Sequence, residues 1–169
     1  MMHREVDYNL EATTTERFRE RLAGDPRFVV PRVLWEFSTA HIIAQTYEHG
    51  HSVSSEAVRA LPVERRSELG RAALELFFEE LFEWGEIQTD PNFGNYRIRI
   101  AGEPGSDYEH DQIVLLDFGA VQAYSAEFLD PVIQMIRASY EQDVEAVIDG
   151  GIKLHFMKRD WPDEVLYKF

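Results

Sequence analysis

Three polar side chains between residues 90 and 117 of the 169-residue chain have the chemistry of a metal and phosphate site. Asp90 and Asn95 lie five positions apart, and Asp117 begins an Asp-Phe-Gly triplet directly after the apolar run 113–116. Mg²⁺ accepts carboxylate and amide oxygens as ligands. Phosphoryl transfer needs one carboxylate to receive or orient the attacking hydroxyl, and a second carboxylate with an amide to hold Mg²⁺ against the phosphates. The sequence therefore predicts a phosphoryl-transfer site at these three residues.

Two predicted strands must bring these side chains together. Residues 96–100 alternate with period two, and residues 113–116 form a short apolar run typical of a buried strand. Glycine and proline at 102–105 predict a turn between the strands. A β-hairpin of this kind would return Asp117 to the neighbourhood of Asn95. The spacing is also that of a kinase catalytic loop followed by a metal-binding triplet. The alternative is a hairpin whose acidic ends face only water.

Composition excludes several classes of protein. There are 31 acidic and 17 basic side chains, a net charge of -14, which argues against nucleic acid or an anionic membrane surface as the main partner. The chain contains no cysteine, so it has neither a disulfide framework nor a thiolate zinc site. It shows no apolar run long enough to cross a membrane and no signal peptide. We therefore expect a soluble intracellular protein, cytoplasmic or peripherally associated with a membrane.

Helical and strand patterns account for much of the remaining chain. They predict helices at 5–22, 64–84, 125–140 and 143–150, and strands at 29–37 and 41–47. The predicted buried stripe of the first helix is Leu10, Thr14, Phe18 and Leu22. The predicted apolar face of the longest helix is Leu69, Ala72, Ala73, Leu76, Phe77, Leu81 and Phe82.

Two sets of polar residues allow more than one interpretation. Glu5, Asp7 and Glu11 open the first helix, where acids in a solvated first turn are also favoured by the helix dipole. His49 and His51 flank Gly50, an arrangement more typical of a solvated loop than of a metal site.

Three stretches of the sequence resemble signatures of the UbiB/AarF atypical kinase-like family. Residues 5–12 match its E-x-D-Y-x-x-E-A segment, residues 88–95 its catalytic loop and residues 115–120 its metal-binding triplet. The resemblance runs from Glu5 to about Arg159. The Gln-Thr-Asp-Pro-Asn sequence at 88–92 is closest to the branch of the family that supports ubiquinone biosynthesis. It implies an α+β, protein-kinase-like fold with a mostly helical C-lobe and a truncated N-lobe. Residues 1–169 would form a single incomplete domain, with 1–48 as the N-lobe remnant and 49–169 as the C-lobe.

The resemblance also implies ATP and Mg²⁺ as cofactors, and a role for each matching residue. Asp90 corresponds to the catalytic aspartate, and Asn95 and Asp117 correspond to the metal-binding pair. Glu11 corresponds to a helix glutamate that pairs with a strand lysine. The other matches are the adenine-contacting hinge, Gln45, Thr46 and Tyr47, and the E-x-D pair, Glu5 and Asp7, which in the family interacts with an N-terminal extension. Lipid quinone precursors or quinone-biosynthesis proteins are the partners that the family implies.

The sequence departs from the family where the phosphates would be bound. No phosphate loop or K-x-G-Q element precedes Glu5, and the only lysines, Lys153, Lys158 and Lys168, follow Asp117. We therefore expect activity in this chain to be impaired or absent. The alternatives are a small-molecule phosphotransferase of the aminoglycoside or choline kinase type and a non-catalytic pseudokinase interaction module. The missing first strands also predict an exposed sheet edge through which the chain could self-associate.

Overall fold

The computed structural model describes residues 7–90 and 92–168. The chain forms two compact units, which we call the first unit (residues 1–78 and 88–122) and the second unit (79–87 and 123–169). The helices are α1 (Tyr8–Arg21), α2 (Glu56–Arg59), α3 (Val63–Glu79), α4 (Ala126–Glu141), α5 (Val144–Lys153) and α6 (Asp163–Leu166). The strands are β1 (Phe28–Val29), β2 (His51–Ser52), β3 (Glu86–Gln88), β4 (Tyr96–Arg99), β5 (Gln112–Leu115) and β6 (Val121–Ala123).

A four-stranded sheet in the order β1-β5-β4-β2 forms the centre of the first unit. β4 and β5 pair antiparallel, with Tyr96 opposite Leu115 and Arg99 opposite Gln112, which confirms the predicted hairpin. Gly102 and Gly105 in the connection have φ of 83° and 88°, a conformation that glycine adopts without strain. β1 lies parallel to β5 at one edge. β3 pairs with β6 in a separate two-stranded sheet.

The prediction of two long strands at 29–37 and 41–47 was wrong. Only β1 and two isolated bridges form there, Val33 with Gln45 and Thr39 with Ile42, and a 3-10 turn occupies Trp35–Phe37. Pro31 lies in the first run and has no N–H to donate to a ladder. The Ser38 hydroxyl accepts from Ala44 N at 3.0 Å and donates to Leu34 O at 3.0 Å. Side-chain bonds of this kind compete with regular pairing of the strands.

Helix α1 begins later than predicted, because Asp7 is its N-cap. The Asp7 carboxylate accepts from Asn9 N at 3.2 Å and from Leu10 N at 3.3 Å. Thr14 and Phe18 are buried as predicted, whereas Leu10 is 44% exposed. A spacing of four residues turns 40° further round the helix at each step, so Leu10 lies off the face on which Phe18 is buried.

Helix α3 gives way to a π-helical turn at Glu80–Trp84, and Gly85 ends it with φ of 63°. Part of its predicted apolar face is buried, namely Ala72, Leu76 and Leu81. Phe77 and Phe82 are 44% and 37% exposed, so their prediction as core residues was wrong. Each follows a buried leucine by one position, which rotates its side chain about 100° away from the buried face.

In the second unit, α4 and α5 pack through a glycine. A Cβ at Gly150 would lie 2.1 Å from Met135 Cγ, so no larger residue fits without displacing that methionine. Ile148, Met157 and Leu166 form a small buried cluster, against which Ile152 and Trp161 pack. No helix in the described part of the chain is both long enough and apolar enough to span a bilayer.

Candidate functional site

The loop that carries Asp90 and Asn95 is held in shape by its own polar groups. A 3-10 turn at Phe93–Asn95 is capped by Asn92, whose Oδ1 accepts from Gly94 N at 2.9 Å. Arg97 Nη1 donates to Gly94 O at 3.0 Å. Within this frame, Asn95 Nδ2 donates to Asp90 Oδ2 at 3.1 Å. The first two residues selected from the sequence are therefore in direct contact.

The segment containing Asp117 is bonded to the same loop on both sides. Before it, Leu116 N donates to Asn95 O at 3.0 Å. After it, Ala120 O accepts from Thr89 N at 3.0 Å and from Thr89 Oγ1 at 2.6 Å. Residues 117–119 are therefore enclosed between two backbone attachments to the loop 89–95, and Asp117 follows immediately after the first of them.

Helix α1 brings a further carboxylate to this segment. Asp117 Oδ1 accepts from Gly119 N at 2.9 Å. A Cβ at Gly119 would lie 3.3 Å from Asp117 Oδ1 and 3.4 Å from Glu11 Oε2, so the two carboxylates border the same glycine. Phe118, 2% exposed, packs against Phe18 with ring centroids 4.9 Å apart. Phe18 lies two turns after Glu11, so one face of α1 meets both Phe118 and the carboxylate before it.

Electrostatics at this position favour a cation. Burial raises the pKa of the Glu11 carboxyl above its ordinary value, and the neighbouring Asp117 raises that pKa further. Both effects express the cost of placing two negative groups together with partial loss of solvent. A positive charge between or beside them would offset this cost.

The donor set fits Mg²⁺. Asn95 uses its amide nitrogen to bind Asp90, which leaves its oxygen for a cation, and Asp117 uses only Oδ1 to hold Gly119 N. Across the described residues, no group of three or more His, Asp or Glu side chains is arranged to hold a metal ion. A pair of protein ligands suits Mg²⁺, which normally completes its shell with water and substrate phosphates.

The predicted hinge residues lie in the same unit but make no hydrogen bond to Asp90, Asn95, Asp117 or Glu11 among the described contacts. Gln45 forms an isolated bridge with Val33, and its Nε2 is buried without a hydrogen-bond partner in the described part of the structure. Thr46 N donates to Arg32 O at 2.9 Å. Tyr47 is 90% exposed. The assignment of these three residues to a base-binding segment stays a prediction.

The predicted E-x-D pair is only partly visible. Glu5 lies outside the described residues, and Asp7 is the N-cap of α1. Capping agrees with the helix-dipole interpretation of this acid, and the contact with an extension implied by the family stays a prediction.

The model of the ABC1 atypical kinase-like domain matches residues 1–150, most of the chain. The chain belongs to this family. The match confirms the resemblance to UbiB/AarF proteins that the three sequence signatures indicated.

Relatives in animals carry names of the same kind. The zebrafish (Danio rerio) protein "Atypical kinase COQ8B, mitochondrial" is 37% identical over 153 residues, which cover 90% of this chain and 23% of that protein. "Atypical kinase coq-8, mitochondrial" from Caenorhabditis elegans is 30% identical over 156 residues, covering 92% of this chain and 20% of that protein. The chain therefore spans about a quarter or less of the length of these two relatives.

A solved structure supports the fold. The complex of Rv3197 with erythromycin from Mycobacterium tuberculosis has a TM-score of 0.70 and 24% identity, covering 94% of this chain and 38% of that chain. With the family match, this confirms the α+β, protein-kinase-like fold.

Several residues that shape the candidate site were not predicted. Thr89 and Arg97 hold the loop from either end, and Asn92 caps its turn. Asn92 was detectable, since Asn two residues before Gly is typical of a turn closed by its own side chain. The bonds of Thr89 and Arg97 leave no local pattern in the sequence.

Two clefts of the first unit lie away from the convergent residues. One, of about 820 Å³, is lined by α3 and the β4–β5 connection. A second, of about 600 Å³, is lined by the end of α1, by β1 and by Thr46 and Glu48. Asp90 and Asp117 are exposed and line neither of these clefts.

Proposed function

We propose that the first unit binds ATP with Mg²⁺, as the catalytic part of an atypical kinase or ATPase. The observation that supports this proposal is the hydrogen bond from Leu116 N to Asn95 O, 3.0 Å, which joins the backbone directly before Asp117 to Asn95. Asp90 is bonded to one of them and Glu11 lies beside the other. Two carboxylates and an amide are the set that phosphoryl transfer requires.

Each residue has a role in this proposal that follows from its position. Asn95 and Asp117 hold the metal, which when bound offsets the charge of the phosphates. Asp90, exposed and fixed by Asn95, receives or orients the attacking hydroxyl or water. Glu11 attracts a cation to the phosphate side. Residues 45–47 meet the base through their backbone.

The family membership extends the proposal to the whole protein. We propose a role in ubiquinone biosynthesis, with lipid quinone precursors or quinone-biosynthesis proteins as partners, because the relatives that the chain matches are COQ8-type atypical kinases. The chain itself would turn over little ATP, because no lysine precedes Asp117 to neutralise the phosphates. The same observation favours a non-catalytic, nucleotide-binding module as the second candidate.

The proposal is tested by titrating ATP into the 169-residue chain by calorimetry, with and without Mg²⁺. Asp117→Asn should weaken Mg²⁺-dependent binding at least about tenfold, a loss of ~1.4 kcal/mol, because it removes the charged metal ligand. Asp107→Asn is the matched control, since Asp107 is an exposed carboxylate in the β4–β5 connection, and it should change nothing. Equal affinity and equal Mg²⁺ dependence in Asp117→Asn and the wild type would show that the metal assignment is wrong.

A further inference from the structure

The predicted base-binding segment is attached to the rest of the first unit by an ion pair. Arg99 Nη2 donates to Glu48 Oε2, directly after the segment 45–47. The two side chains are only 15% and 16% exposed, so this pair is well shielded from solvent. Charge pairs in such positions are screened less than surface pairs, and the loss of one partner leaves the other charge poorly solvated.

Arg99 is also fixed from other directions. Its Nε donates to His49 O at 3.3 Å, and its Nη1 donates to Gln112 Oε1 at 3.4 Å. Its guanidinium lies over the ring of Tyr108, 5.9 Å from the centroid. These contacts with β5, with the β4–β5 connection and with residues 48–49 leave the Arg99 side chain little freedom. The position of β4 therefore determines where Glu48 is held.

From Glu48 the bonds continue into the segment itself. Glu48 Oε1 accepts from Thr46 Oγ1 at 2.8 Å. Thr46 Oγ1 in turn accepts from Arg32 N at 2.9 Å, and Thr46 N donates to Arg32 O at 2.9 Å. The segment 45–47 is thus bonded through Thr46 to Arg32 on one side and to the charge pair on the other.

β4 connects this attachment with the metal ligands. The strand begins immediately after Asn95 and ends at Arg99, and it pairs with β5, which ends just before Asp117. Asn95 and Arg99 are therefore about 13 Å apart, four steps of ~3.3 Å along one strand. One hairpin therefore carries the proposed metal ligands at one end and the anchor of the predicted base-binding segment at the other.

We propose that Arg99 is a positioning residue for the nucleotide: through Glu48 it holds residues 45–47 at a fixed distance and orientation from Asn95 and Asp117. This inference rests on nucleotide binding by the first unit as proposed above. It assigns to Arg99 and Glu48 no contact with the nucleotide. They act by setting the backbone that meets the base while the metal ligands hold the phosphates.

The test compares a ligand that has a base with one that lacks it. ATP and inorganic tripolyphosphate, each with Mg²⁺, are titrated into the wild-type chain and into Arg99→Met, Arg99→Lys and Glu48→Gln. Amide hydrogen exchange of residues 44–49 is measured in each protein. Arg65→Met is the matched control, because Arg65 forms a comparable bridge to Asp111 in the same unit, away from residues 45–48.

Arg99→Met and Glu48→Gln should weaken ATP affinity on the order of tenfold, because binding would then have to order residues 45–47, which the ion pair holds in place in the wild type. Tripolyphosphate affinity should stay unchanged, exchange at residues 44–49 should rise, and Arg99→Lys should restore part of the ATP affinity. Arg65→Met should leave both affinities unchanged. Glu48→Gln keeps Arg99 and most of the packing, so it decides the question if Arg99→Met fails to fold.

Two results would overturn the proposal separately from the function on which it rests. ATP binding that neither Arg99→Met nor Glu48→Gln alters, or an equal loss for both ligands, overturns the positioning role alone. A wild-type chain that binds neither ligand overturns the nucleotide site and the positioning role together.

Discussion

At the scale of single residues, each member of the Asp-Phe-Gly triplet at 117–119 has a different structural role. Asp117 presents a carboxylate, and Phe118 is buried against Phe18 of α1. Gly119 has no side chain beside the carboxylates of Asp117 and Glu11. A Cβ there would lie 3.3 Å from Asp117 Oδ1 and 3.4 Å from Glu11 Oε2. The aromatic contact fixes the distance between helix and triplet, so the two acids are kept together despite their repulsion.

Glu11→Gln should therefore stabilise the metal-free protein at neutral pH. The substitution keeps the shape of the side chain and removes one of two facing charges, so the free energy of unfolding in EDTA should rise by about 0.5 kcal/mol. Urea denaturation measures the change. Glu109→Gln, an exposed acid in the β4–β5 connection, is the control and should have no effect. A loss of stability in Glu11→Gln would mean that Glu11 has a favourable partner.

Sequence spacing was sufficient to select Asp90, Asn95 and Asp117, because two motifs and a hairpin fix which of these residues can meet. It did not reveal the bond from Thr89 to Ala120 or the pair of Glu48 with Arg99. Those contacts join residues 31 and 51 positions apart through polar side chains. Periodicity reports which face of an element is buried, and it contains no information on such long-range pairs.

At the scale of elements, α3 is attached to the sheet by arginines. Arg27 donates to both carboxylate oxygens of Asp25, at 2.7 to 3.1 Å, and also to Glu75 of α3. Arg65, near the start of α3, is bonded to Asp111. Apolar spacing was sufficient to predict α3 and the hairpin. It wrongly predicted long strands at 29–37 and 41–47. There Pro31 and the Ser38 hydroxyl outweigh β propensity, which depends on context.

The Asp25–Arg27 bond predicts a pH dependence of stability. The Arg27 hydrogen bonds hold the pKa of Asp25 below its ordinary value. The unfolded chain therefore binds this proton more readily than the folded one, and the contribution to the free energy of unfolding is present above about pH 4. It is lost as the pH falls through the lowered folded pKa.

Asp25→Asn should accordingly cost about 0.5–1 kcal/mol at pH 7, the range for partly exposed charge pairs, and progressively less in acid. Urea denaturation of both proteins across the acid range measures the difference. Asp107→Asn should show no such dependence, because this exposed carboxylate has no hydrogen bond in the described structure. A difference between Asp25→Asn and the wild type that stays constant with pH would contradict the linkage.

At the scale of the whole molecule, the lysines and the candidate site belong to different units. All described site residues belong to the first unit, and the three lysines of the chain belong to the second. The net charge is -14. An ATP polyphosphate must therefore approach a negative protein at a site that contains the carboxylates of Asp90, Asp117 and Glu11, with Arg97, bonded to Gly94 O, as a neighbouring cation. Self-association through the edge strand β1, which has only two residues, stays a prediction.

Because of this long-range repulsion, the affinity for ATP should rise as the salt concentration rises. The Debye length falls from about 30 Å at 0.01 M salt to about 8 Å at 0.15 M. Added salt then screens the repulsion between the protein and the nucleotide while Mg²⁺ at saturating concentration still bridges them. Affinity for ATP, measured by calorimetry at constant Mg²⁺, should rise several-fold over this range. Adenosine is the matched ligand, since it has the same base and no charge, and its affinity should stay constant. If ATP affinity falls with salt while adenosine affinity does not, cationic side chains reach the phosphates, and the site contains a positive group that the present assignment lacks.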